Sequence, residues 1–147
     1  MIFSKACEYG LRAMLYLALQ NPEGYVSILT VSYDLDISFQ FMTKTLQKLN
    51  DADLVVSKRG PGGGVSLTRA PEDISLYEVV VAIDGTELFE ECILGLPGCG
   101  EAEPCPLHDH WTEERSHVEE MFRNTTLSEV PEQRLSAVTK QVAPSGS

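Results

Sequence analysis

Apolar residues cover most of the circumference of a helix over residues 4–20, S-K-A-C-E-Y-G-L-R-A-M-L-Y-L-A-L-Q, and leave little polar face from Leu11 to Leu19. The pattern predicts a largely buried helix. Glu8 and Arg12, four apart, share one face as a candidate surface pair. Asn21, Pro22 and Gly24 end the helix, and Tyr25-Val26 lead through a short extended piece to Ser27, an amino-terminal cap. Ile28, Val31 and Leu35 place a second helix with one apolar face. Asp36-Ile37 make a turn, and Ser38 caps a third helix whose stripe is Phe39, Met42, Leu46 and Leu49. Its other face carries Gln40, Thr43, Lys44, Gln47 and Lys48, none acidic, all able to reach a base edge or a phosphate. Two short helices joined this way form a helix-turn-helix, although a solvated face on any small helical domain has the same pattern.

The next stretch favours the first alternative. Leu54-Val55-Val56 and Val65-Ser66-Leu67 are strand-like and flank S-K-R-G-P-G-G-G, a glycine turn that begins with Lys58 and Arg59. Such a hairpin is a wing that sets a basic tip beside DNA. A nucleotide-binding loop is excluded, because the G-x-x-x-x-G-K-[ST] pattern is absent. Residues 74–83 then read as a helix closed by Asp84-Gly85, with Ile74, Tyr77, Val80 and Val81 facing the winged domain. Leu107, Trp111, Val118, Met121 and Phe122 mark a stripe on a charged helix reaching about Arg123, suited to pairing with its own copy. T-L-S-E-V at 126–130 is a terminal turn.

The chain has 147 residues, 43% hydrophobic and 22% charged, enough for one domain with a small extension. The net charge of -11 argues against nucleic acid, but the distribution reverses that argument. Residues 1–70 hold seven Lys/Arg against six Asp/Glu; residues 71–147 hold four against sixteen. The first half can therefore approach phosphates while the acidic second half faces away. No apolar run of membrane length occurs, and Glu8 and Arg12 interrupt any signal-like core, which points to the cytoplasm. In a reducing compartment, cysteines are ligands or sensors more often than disulfides.

Cys92, Cys99 and Cys105 have six and five residues between them, and His108 follows the last with two between. Three sulfurs and an imidazole on a Gly/Pro-broken loop make a four-point shell for tetrahedral zinc or an iron–sulfur cluster. A disulfide, or thiols that bind nothing, are the plainer alternatives. The wide spacing, without a tight pair, leans towards a cluster.

With these pieces placed, the chain resembles the Rrf-type bacterial transcription regulators over about residues 1–130. The resemblance is carried by E-Y-G-L-R-A-M-L-Y-L-A at 8–18, L-V-V-S-K-R-G-P-G-G-G-V-S-L at 54–67, and C-P-L-H-D-H-W at 105–111 with Arg115. It implies a mainly α fold with a small β wing: a winged helix-turn-helix plus a long carboxy-terminal dimerisation helix. The corresponding segments are a DNA-binding domain at 1–85, a cluster loop at 86–109, a dimerisation helix and turn at 110–130, and a flexible tail at 131–147. It also implies a homodimer on double-stranded promoter DNA, no organic substrate and no enzymatic activity. Cys92, Cys99 and Cys105 match the cluster thiolates, with 2Fe–2S favoured and 4Fe–4S the alternative. His108 matches the fourth ligand of the cluster-regulator branch. Glu8 matches the cross-subunit carboxylate of the nitric-oxide-sensing repressor branch. On the reading of the third helix and the wing, Gln40, Thr43, Lys44 and Gln47 face base edges, while Lys48, Lys58 and Arg59 hold the DNA backbone, with a minor groove also within reach of Arg59. A constitutive DNA-binding protein with structural zinc is the remaining alternative. The chain departs from the family at residues 28–36, which lack its Ala-rich pattern, and at Asp53, where Gly is usual.

Overall fold

The structure, a computed structural model, describes residues 2–20, 23–96, 104–129 and 132–139. Helix α1 (Lys5–Gln20) is the centre of the molecule and buries Ala13, Met14, Tyr16 and Leu17. Its start is tied to a distant element: Ser4 Oγ accepts the Cys7 N–H (3.0 Å), and the Ser4 N–H donates to Asp84 (3.0 Å). Tyr16 donates its hydroxyl to Asp34 (2.5 Å), which fixes α1 against α2 (Ile28–Leu35).

The expected caps are present. Ser27 Oγ accepts the Thr30 N–H at 3.0 Å, and Ser38 Oγ accepts the Phe41 N–H at 3.1 Å, opening α3 (Phe39–Asp51). Between the helices Asp36 takes the left-handed conformation (φ 57°) that a tight stop requires. Met42, Leu46 and Leu49 enter the core as the stripe predicts, but Phe39 does not and stays 49% exposed. It is the first residue of α3, and that turn projects beyond the helices that cover the rest of the stripe; Gln40 and Phe41 are exposed with it.

Strands β1 (Val55–Lys58) and β2 (Gly64–Leu67) pair antiparallel, Val55 with Leu67 and Lys58 with Gly64. Val26 sets a third segment against the hairpin through an isolated bridge: its N–H and C=O each bond to Val65 at 2.9 Å. This contact explains Gly64. Its φ is +139°, and a Cβ there would lie 2.1 Å from the Val26 carbonyl oxygen.

Helix α4 (Leu76–Asp84) opens on a capping box, Ser75 with Glu78. Ile74 and Val79 join the main core, whereas Tyr77, Val80 and Val81 belong to a second cluster that α4 forms with the start of α1 and with elements beyond the winged domain. That second cluster also holds Cys7, Phe89 of the short helix α5 (Glu87–Glu90) and Phe122 of α6 (His108–Asn124). Arg123 closes it by stacking 3.8 Å over the Tyr77 ring.

The stripe on α6 is thus divided. Phe122 and Val118 pack within the chain, while Met121 (54% exposed) and Leu107 (42%) face outward. After α6 the backbone returns to the winged core: Leu76 N–H bonds to Thr125 O, Leu127 N–H bonds to Ile74 O, and Leu127 is fully buried. Glu132–Ala137 forms a 3-10 turn within the segment read from sequence as tail, and Val138 packs against the main core. The rest of that segment, 131 and 140–147, lies outside the described residues.

Candidate metal centre and nucleic-acid interface

Cys92 follows α5 and Cys105 precedes α6, yet their sulfurs lie 3.5 Å apart. Bonded sulfurs are about 2.05 Å apart. Two sulfurs each about 2.3 Å from one tetrahedral metal are roughly 3.8 Å apart. The pair is therefore two thiols in contact rather than a disulfide, at a separation close to that of two ligands on one metal. Both side chains are half-buried, and Cys92 Sγ also accepts the Leu94 N–H at 3.3 Å.

Helix α6 positions both thiols. On one side, the His108 N–H donates to Cys105 O (3.0 Å), so Cys105 belongs to the turn that starts the helix. On the other, the carbonyl of Glu91, the residue before Cys92, accepts from Trp111 Nε1 (2.9 Å) and Arg115 Nη1 (3.0 Å). Trp111 and Arg115 are four apart, one turn of α6, and so reach the same carbonyl. The sequence pattern marks Trp111 only as part of an apolar stripe and Arg115 only as a motif residue. Their target is a backbone atom, which no side-chain pattern identifies.

Cys99, the third expected thiolate, lies outside the described residues. Among the described residues no three His, Cys, Asp or Glu side chains close on one point, so neither His108 nor Glu8 is grouped there with Cys92 and Cys105. Glu8 instead pairs with Lys5 on α1 at 3.5 Å. Cys7 is fully buried, and burial together with the neighbouring Asp84 carboxylate pushes its thiol up to about 12. It stays protonated near neutrality, in keeping with a packing role. The Thr112 hydroxyl, one turn beyond His108, is buried with no hydrogen-bond partner among the described residues, as is that of Thr45 in α3.

Helix α3 and the wing present the side chains expected to meet DNA. Gln40, Thr43, Lys44, Gln47 and Lys48 are all exposed along α3. Two are already engaged: the Thr43 hydroxyl donates to Phe39 O (2.8 Å), and Gln47 Nε2 donates to Asp51 (2.9 Å). Lys58 and Arg59 are exposed at the wing, with Lys58 Nζ 5.6 Å from the Tyr25 ring centre, a cation–π distance. Among the described residues no helix is long and apolar enough to cross a membrane.

Comparison with known proteins matches residues 3–133 to the Rrf2 family, described as "Iron-dependent Transcriptional regulator". The HTH-type transcriptional regulator IscR of Erwinia tasmaniensis is 33% identical over 123 residues, covering 84% of this chain and 74% of the relative. Among solved structures, the global cysteine regulator CymR of B. subtilis superposes with a TM-score of 0.71 at 27% identity, covering 86% of this chain and 93% of that one. IscR of T. potens shares the fold with a TM-score of 0.70 at 24% identity, covering 98% and 92%.

Proposed function

We propose, starting from the fact that this chain belongs to the Rrf2 family of transcriptional regulators, that it is a homodimeric cytoplasmic regulator whose hold on promoter DNA is set by an iron–sulfur cluster. The family is one of helix-turn-helix DNA-binding regulators, not enzymes. The observation that carries the finer reading is the 3.5 Å separation of the Cys92 and Cys105 sulfurs. Cys99 supplies the third thiolate and His108 the fourth ligand, with Glu8 of a partner subunit as its rival. Two iron atoms suit this set before four. A bound cluster supplies an iron centre that responds to oxidation, to nitric oxide or to iron supply.

The chain's own part is mechanical. Because Trp111, Arg115 and the first turn of α6 grip both thiol-bearing ends of the loop, a change in ligand geometry pulls on α6. The exposed Met121 and Leu107 give α6 an apolar edge for a second copy. Movement there alters the spacing of the two reading helices. On DNA, Gln40, Thr43, Lys44 and Gln47 face the bases, Lys48 and Lys58 hold phosphates, and Arg59 reaches the minor groove.

Protein made and purified without oxygen is expected to be coloured, with iron and acid-labile sulfide in each subunit. Colourless protein with one zinc and no sulfide overturns the cluster and leaves the structural-zinc alternative.

The wing gives a separate expectation. K58A should weaken binding to specific and random duplexes alike. It should also flatten the dependence of log affinity on log salt by roughly one unit, the contribution of a single phosphate contact. Titrations at several salt concentrations measure both, and an unchanged slope removes Lys58 from the backbone.

A further inference from the structure

We infer that Phe39, with Leu29 beside it, reads the 5-methyl group of thymine in the major groove. Leu29 is 65% exposed and Phe39 49%. They do not stand apart. Ile28, Leu29, Phe39, Lys58, Gly60 and Gly64 line one groove between the start of α2, the start of α3 and the wing. Large apolar side chains left open together and rimmed by polar ones mark a contact surface.

Three observations commit that surface to DNA rather than to a protein. The first turn of a reading helix is the part that meets base edges, and Phe39 is the first residue of α3, next to Gln40. Lys58 stands in the same groove, with Lys44, Lys48 and Arg59 exposed nearby on α3 and the wing, so the surroundings complement phosphate. Thr43, one turn on, has its hydroxyl proton engaged by the Phe39 carbonyl. What it offers a base is its methyl and an acceptor, which extends the apolar contact instead of adding a donor. In the major groove only thymine, among the unmodified bases, presents a methyl, and the Phe ring and the Thr methyl are among its usual contacts.

The inference rests on the DNA-binding half of the function above and is independent of the cluster. The test uses the full chain, purified anaerobically, and the tightest duplex it enriches from a random-sequence pool. Each thymine of that duplex is replaced in turn by deoxyuridine, which removes only the methyl. For the parent, at least one replacement per half-site is expected to lower affinity about fourfold, equivalent to ~0.8 kcal/mol for one buried methyl-sized group. F39A is expected to bind the thymine duplex more weakly and to show no further loss with deoxyuridine at that position. L29A should show a reduced penalty. Because both side chains are exposed, both variants should melt with the parent. A parent indifferent to every replacement, or an F39A that keeps the parental penalty, overturns the inference. A parent that enriches no duplex overturns the DNA-binding assignment along with it.

Discussion

Alanine at Cys92, Cys99 or Cys105 is expected to leave anaerobically made protein with no iron and no labile sulfide. Cluster iron is held by thiolates, and this loop offers three, so losing one leaves no spare. Cys92 and Cys105 are the more telling positions, because their sulfurs already stand 3.5 Å apart. Both are half-buried and outside the two core clusters, so C92A and C105A should fold and melt close to the cluster-free parent. That separates lost ligation from lost structure. The fourth ligand should behave more gently. H108A is expected to retain a cluster with a shifted visible spectrum and faster decay, while E8A stays near the parent. The opposite result from H108A and E8A would place a partner's carboxylate on the iron and favour the 4Fe–4S, nitric-oxide-sensing branch. Full iron and sulfide in C92A or C105A would end the assignment.

G64A should be the most damaging single methyl added to the DNA-binding half. The new Cβ meets the Val26 carbonyl oxygen at 2.1 Å and its carbon at 2.4 Å, both backbone atoms within the β-bridge. The site also holds φ +139°, which side chains rarely adopt. Steric overlap and strain together suggest a loss of about 2–4 kcal/mol, or roughly 5–15 °C in melting temperature for a chain of this size. G62A is the matched control. It too has positive φ (+75°), but nothing lies within 4 Å of its would-be Cβ. Its cost should be only the backbone penalty, about 1–2 kcal/mol. Chemical denaturation of the pair isolates the contact: equal losses would mean that β2 shifts away from Val26 without difficulty. Binding to the enriched duplex should fall more in G64A, since the wing swings with β2.

Much of this architecture is legible along the chain because it is local. Ser27 and Ser38 cap the helices they precede, and the glycines between Arg59 and Val65 turn where glycine is needed. Such signals depend on residues within a few positions of one another. What depends on tertiary extent is not legible. Phe39 has the period of a core residue, but period does not reveal where the covering helices stop. The α6 stripe is a sound apolar pattern, yet it serves two surfaces, and only the fold assigns Phe122 to one and Met121 to the other. Asp53 is a different case. Its departure from the family's glycine is visible in sequence, and the structure gives the physical reason for the glycine: φ is +61° there, in the left-handed region that Asp tolerates better than most residues. The cysteine site is legible in its chemistry and illegible in its support, because the grip of Trp111 and Arg115 acts on a carbonyl.

That grip bears on how the proposed site would take up metal. Many small metal sites are assembled by the ion itself, so affinity includes the cost of folding the ligands around it. Here the carbonyl of the residue before Cys92 and the carbonyl of Cys105 itself are both fastened to one helix. The two sulfurs therefore form a chelate whose bite is set in advance. Closing the chain between them adds little entropy cost when an ion arrives. Under the proposed function, occupancy of the first two positions would then follow the supply of ion by simple mass action, a graded gauge without the threshold that coupled folding imposes.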